Sequence, residues 1–180
     1  MKRIFLDTEF TGLQQNTSLV SLALVAESGE EFYAEFTDYN NDQITVWLKE
    51  YVLSQLFIKD NKSANLNNIQ IKGNKEVIKS ALINWFQQFP KQKNSIQIWA
   101  DCYAWDWVLF CELFGGAFNI PQNIHYMTMD LATYLFSKNI AVDTERIKLL
   151  PDDYKDKDNL KQHNALFDAR VELAVFNALN

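Results

Sequence analysis

Apolar residues in the first 36 positions fall into short runs, and the spacing then changes to a helical one. Ile4-Phe5-Leu6 sits inside a strand predicted over Arg3 to Asp7, and the apolar run through Leu19 to Ala26 predicts a second over Ser18 to Ala26. In Glu31 to Phe36, Phe32, Ala34 and Phe36 alternate with other residues, predicting a third. Short polar turns such as Ser28-Gly29 make these three an antiparallel meander. Ile44, Trp47, Leu48, Tyr51, Val52 and Leu56 then share one helical face, with Asn41 or Asp42 as the cap. Lys59 to Asn74, rich in Asn and Lys, reads as a surface loop. Val77, Ile78, Ala81, Leu82, Trp85 and Phe86 form the buried side of a second helix that ends before Pro90.

Ile96 to Ala100 predicts a fourth strand, followed by a helix that stops at Gly115-Gly116. His125 to Met129 predicts a fifth strand, and Asp130 caps a helix through Phe136. Residues from Asn139 to Gln162 are charged and irregular, a length that marks a functional or disordered segment. A last helix runs from about Asn164 to Leu179, with Leu166, Ala169, Leu173 and Phe176 inward. Strands followed by alternating helices and strands imply an α/β chain: a mixed sheet flanked by helices, in one domain spanning 1–180.

Composition narrows the class. A hydrophobic fraction of 48% and an aromatic fraction of 14% in 180 residues suit a packed core. No apolar run is long enough to span a bilayer, and three residues between Lys2-Arg3 and Asp7 leave no room for a signal-peptide core. Cys102 and Cys111 offer no disulfide framework, so the expectation is a cytoplasmic protein with both thiols reduced in or near the core. The formal charge of −6 argues against coating long nucleic acid, but not against acting on a nucleic-acid end through bound cations.

The candidate chemistry starts with Asp7 and Glu9. At positions i and i+2 of a strand their carboxylates share a face, and two acids that close are tolerated when a cation lies between them. Asp101 and Asp106 compete for a third acidic position where a strand passes into a helix. Asp168 lies early in the last helix, five residues after His163. On a continuous helix those two would diverge by roughly 140°. Both can face one site if His163 belongs to the preceding loop.

With these residues in view, the chain resembles the DEDD 3′-5′ exonucleases, which have a ribonuclease H-like fold. Asp7-Thr8-Glu9-Phe10-Thr11-Gly12-Leu13 is similar to their first motif. Ala104-Trp105-Asp106-Trp107-Val108 is similar to the second. His163-Asn164-Ala165-Leu166-Phe167-Asp168-Ala169-Arg170 is similar to the third motif of the histidine branch, the DEDDh family. The alternative branch carries Tyr where this chain has Asn164. Within the branch the chain resembles most the small stand-alone mycobacterial-type bacterial exoribonucleases. The stretches Leu22 to Ala34 and Asp106 to Gly115 carry that likeness, and Phe10 stands where many relatives have Thr.

The resemblance implies a metal-dependent 3′-5′ exoribonuclease that releases nucleoside 5′-monophosphates. It implies Asp7, Glu9, Asp106 and Asp168 as ligands of two Mg²⁺ or Mn²⁺ ions, and His163 as the general base. Thr8, Phe10, Thr11, Gly12 and Leu13 would lie beside the terminal nucleotide. It also implies a nucleic-acid 3′ end as partner, RNA before DNA, no membrane, and a homodimer. The competing readings are a DNA-preferring exonuclease of the same family and a non-catalytic RNA-binding module on this fold. Trp47, Trp85 and Trp99 read as core by periodicity, and either Trp105 or Trp107 is left to meet a substrate.

Overall fold

The computed structural model describes residues 1–59 and 62–180, with the backbone alone for 62–65. Its centre is β1 (Lys2–Phe10), flanked by β2 (Leu19–Ala26) and, beyond it, β3 (Glu31–Phe36). These pair antiparallel, β1 with β2 and β2 with β3, so the expected meander is present. On the other side of β1, β6 (Ile96–Ala100) runs parallel to it, and β7 (Met129–Asp130) runs parallel to β6.

Two strands fill the stretch expected as a loop. β4 (Lys62–Asn65) and β5 (Asn68–Gly73) form a hairpin, and β5 joins the sheet parallel to β3. The sheet order is β4-β5-β3-β2-β1-β6-β7. β5 buries little: Ile69 is buried, while Asn68 and Lys72 are exposed. That is why its hydrophobic signal was faint against so many Asn and Lys residues. Residues 60 and 61 of the expected loop lie outside the described residues.

Other departures are local. The helix expected from Ile44 to Leu56 is a short α1 (Val46–Tyr51) followed by a 3₁₀ turn, and Thr45 caps it by accepting from Leu48 N. Neither Asn41 nor Asp42 is the cap; they sit in a separate 3₁₀ turn over Asn41–Gln43. The expected strand over His125 to Met129 shrinks to β7, with a single bridge from Ile124 to Ile96 before it. Val77, in α2 (Lys75–Phe86), is exposed rather than inward. α3 (Ala104–Leu113), α4 (Leu131–Ser137, capped by Asp130) and α5 (Ala165–Ala178) fall where they were predicted.

The alternation along β1 sorts the layers. Ile4 and Leu6 point into a core built with Ile78, Leu82 and Trp85 of α2 and Phe110 of α3. Phe5 points the other way, into a core shared with Val171, Val175 and Phe176 of α5. Burial of large side chains of this kind contributes roughly 1.5–3 kcal/mol each. Asp7 and Glu9 continue the Phe5 parity and so rise on the α5 face. Thr8 continues the other parity, toward α3.

Candidate active site

Strand parity and one helix cap assemble the acids. Ligand oxygens of Asp7, Glu9 and Asp168 all lie within 4.8 Å of one another. Asn164 starts α5 by accepting from Leu166 N and Phe167 N, which sets Asp168 in the first turn, where the helix dipole favours a negative charge. His163 therefore lies before the helix, and its backbone takes the left-handed conformation, φ 66°. Its N–H donates to Asp168 Oδ2 at 2.8 Å. The predicted kink between loop and helix thus puts the histidine and the acid on one site.

Asp106 approaches from the opposite layer and lies outside the cluster of three acids. It is buried, and its Oδ1 accepts from the Thr8 N–H at 3.0 Å and from the Thr8 hydroxyl at 2.6 Å. Its negative charge is felt at Asp7 and at Glu9. Asp101, the competitor, is committed elsewhere: its two oxygens accept from Arg146 Nε at 2.6 Å and Nη2 at 2.8 Å.

Electrostatics mark these acids as incomplete by themselves. Burial, and next the neighbouring carboxylates of Asp168 and Asp106, hold Asp7 well above the usual range. The same causes push Glu9 up to about 8. Burial raises Asp168 to about 7 against the His163 N–H, and Asp106 to about 6 against the two bonds from Thr8. Asp7 Oδ2 is buried and has no hydrogen-bond partner. An unpartnered buried oxygen amid like charges could accept a cation, and an all-oxygen set would suit Mg²⁺ or Mn²⁺ better than zinc.

A cleft of about 430 Å³ opens over the acids, with His163 and Phe167 in its lining. Its far wall is the irregular segment that was expected between Asn139 and Gln162, and the structure shows what holds it. Arg146 reaches Asp101 and also donates to the carbonyls of Val142 and Thr144. Further along, the buried Arg170 guanidinium of α5 donates to Glu31 (2.9 Å), Asp156 (2.7 Å) and Asp158 (2.8 Å). His163 thus ends a segment anchored to the helix behind it.

The residues expected beside a terminal nucleotide divide into two groups. Thr8 and Thr11 are buried: the Thr8 hydroxyl is used on Asp106, and the Thr11 hydroxyl donates to Gln43 Oε1 and accepts from Ser18 N. Both therefore shape the strand end from within. Leu13 is exposed and Gly12 half-buried, while Phe10 packs inward against Trp105 with ring centroids 6.1 Å apart. Trp107 stacks on Phe110.

Three further readings change. Trp47 is exposed, not core, because the face of α1 that packs inward is carried by Leu48 and, just past the helix, Val52. Its ring meets that of His163 edge to face, centroids 5.1 Å apart. Cys102 is exposed at the turn between β6 and α3, while Cys111 is buried as expected. Glu172, one turn after Asp168, carried no signal in the sequence. It is buried in the cleft lining, accepts from Asp101 N at 3.1 Å through Oε1, and leaves Oε2 unpartnered. An acid at i+4 from Asp168 was the only available clue.

The model of a family described as the 3′-5′ exoribonuclease Rv2179c-like domain matches residues 2–179. The 3′-5′ exoribonuclease Rv2179c of Mycobacterium tuberculosis (strain ATCC 25618 / H37Rv) is 27% identical over 177 residues, covering 98% of this chain and 92% of the relative. The 3′-5′ exoribonuclease MT2234.1 of strain CDC 1551 / Oshkosh matches with the same figures. Among solved structures, cell-death related nuclease 4 (CRN-4) superposes with a TM-score of 0.59 at 13% identity, over 97% of this chain. The chain spans only 62% of the length of that CRN-4 chain. The RNase domain of the yeast Pop2 protein gives a TM-score of 0.58 at 11% identity, over 98% of this chain and 75% of that one. Both structural neighbours share the ribonuclease H-like fold expected here.

Proposed function

The chain belongs to the Rv2179c-like 3′-5′ exoribonuclease domain family, and on that premise we propose that it hydrolyses the 3′-terminal phosphodiester of RNA, releasing nucleoside 5′-monophosphates one at a time. The observation that carries this reading is the meeting of Asp7, Glu9 and Asp168 within 4.8 Å, in a cleft also lined by His163.

In this reading Asp7, Glu9 and Asp168 would hold one divalent cation, Mg²⁺ or Mn²⁺, and Asp106 would help to hold a second. Such a pair, when bound, supplies an acidified water and charge neutralisation at the leaving oxygen. The protein's own groups do the rest. Asp7 Oδ2, buried without a donor, is kept free for a cation. Thr8 holds Asp106 Oδ1 with two bonds, which orients its second oxygen. Burial lowers the pKa of His163, so its imidazole is neutral near pH 7 and a ring nitrogen is free to take the proton of the attacking water. The N–H of His163 on Asp168 sets the spacing between that base and the acids. The exposed Leu13, with Gly12 before it, offers the strand end to the last nucleotide.

Stepwise removal is read from a 5′-labelled RNA incubated with Mg²⁺ or with EDTA, beside a matched DNA. A ladder shortening by single nucleotides in Mg²⁺ alone, faster on RNA, is the expected pattern. Internal cuts in Mg²⁺ would overturn the exonuclease reading, and a faster DNA ladder would overturn the choice of RNA.

A further inference from the structure

The cleft holds an acid that the proposed chemistry leaves idle. Glu172 of α5 lines it one turn after Asp168 and is only 3% exposed. Its Oε1 accepts from the Asp101 N–H at 3.1 Å, while Oε2 is buried with no partner. That one bond does not explain an acid here, because a glutamine carbonyl would accept it without bringing a buried carboxyl group. Burial, and next the charges of Asp101 and Asp106, push the carboxyl well above its usual range. Asp7 Oδ2 is left in the same bare condition, and the Glu172 charge is felt there. Two of the other acids already have an oxygen engaged: Asp168 Oδ2 by the His163 N–H, and Asp106 Oδ1 by Thr8.

We infer that Glu172 is a further residue of the cation site, a positioning residue whose Oε2 accepts a hydrogen bond from a water carried by the bound ion. This deepens the exoribonuclease reading and rests on its cation. Among the described residues, ligand oxygens of Asp7, Glu9 and Asp168 gather within 4.8 Å of one another and Glu172 is not in that group, so it acts through a water rather than by direct ligation. Mg²⁺ gives up its waters reluctantly, and groups that hold the surroundings of a metal ion set how firmly it stays. The Asp101 N–H on Oε1 turns the carboxylate, and α5 carries Asp168 and Glu172 together on one helix.

The test is calorimetric titration of the RNA-free protein with Mn²⁺, beside thermal melting without metal. Glu172→Gln keeps an acceptor for the Asp101 N–H but not the acid, and is expected to weaken Mn²⁺ binding roughly 10–100-fold. Its metal-free melting temperature is expected to equal or exceed that of wild type, because a buried acid has gone. Glu172→Asp keeps the acid but draws it back by one methylene, and is expected to weaken Mn²⁺ binding at least about five-fold. Mn²⁺ affinity of Glu172→Gln within about two-fold of wild type would overturn the inference. Wild-type affinity in Glu172→Asp would overturn it too, by reducing the effect to charge alone, as would a lowered metal-free melting temperature in Glu172→Gln, which marks a structural role. Glu9→Gln, titrated alongside, keeps the two readings apart. Wild-type binding that Glu9→Gln weakens and Glu172→Gln does not overturns this inference alone, whereas no Mn²⁺ binding by wild type overturns the cation site itself.

Discussion

The His163 N–H donates to Asp168 Oδ2 at 2.8 Å, tying the proposed base to the acid by one backbone bond. The bond exists because Asn164 caps α5 and leaves His163 in the left-handed region just outside it. A carboxylate held by a fixed N–H keeps its place when no cation is bound, and the imidazole inherits that place. Replacing the ring does not disturb this backbone contact. His163→Ala is therefore expected to cut turnover by roughly 10²–10⁴-fold, the usual worth of a general base. Mn²⁺ affinity by calorimetry should stay within about two-fold of wild type. Normal turnover in this variant would refute the base.

Burial of the acids, with repulsion from neighbouring carboxylates second, has a measurable consequence without metal. Glu9 rises from an ordinary 4.5 to about 8, and Asp168 from 3.8 to about 7. The folded state therefore binds more protons than the unfolded chain between those limits, and stability falls as pH rises through them. Asp156, lowered by Arg170 and by N–H bonds from Leu160 and Asp158, acts in the opposite sense, but below pH ~4. Metal-free protein should melt at a lower temperature at pH 8.5 than at pH 5.5, and Mn²⁺ should raise the melting point more at the higher pH. A flat profile in calorimetry would show that burial and the neighbouring charges do not raise these acids.

Thr8 gives a finer probe. Thr8→Val keeps the shape and the backbone bond but removes the hydroxyl donor to Asp106. A hydrogen bond to a charged group is worth ~1.5–3 kcal/mol, so activity should fall roughly ten- to a hundred-fold. Much of the loss should be recovered by raising Mg²⁺, because the defect lies in holding a cation. An unaltered Mg²⁺ requirement would place Thr8 outside the site's function.

Arg170 anchors the segment that ends in His163. Arg170→Met leaves the buried Asp156 without its cation and Glu31 with Lys157 alone, and breaking a buried pair of this kind costs about 3–5 kcal/mol. Urea unfolding should show that loss, and turnover should drop even where the protein stays folded, because the imidazole is no longer held. Stability within 1 kcal/mol of wild type would mean that solvent replaces the network.

The legible parts were those where chemistry and periodicity agree. Asp7 and Glu9 are two apart on a strand, and the break between His163 and Asp168 follows from 3.6 residues per turn; both were readable from spacing. The likeness of Ala104 to Val108 to the second motif favoured Asp106 over Asp101, while in the structure the two differ in partners far along the chain, Thr8 for one and Arg146 for the other. β5 was missed because its apolar signal is only two residues, Ile69, buried, and Ile71, half-buried. Trp47 was misplaced because helical period says which residues share a face, not whether that face meets a core or the His163 ring. Glu172 had no motif at all. Its burial comes from the packing of α5 on β1 and β6.

The most direct measurement is the first product released from a 3′-labelled RNA by wild type and by Asp7→Asn. The account predicts labelled nucleoside 5′-monophosphate from wild type in Mg²⁺, and none from wild type in EDTA or from Asp7→Asn under either condition. Labelled mononucleotide from Asp7→Asn at the wild-type rate, or from wild type in EDTA, would contradict it.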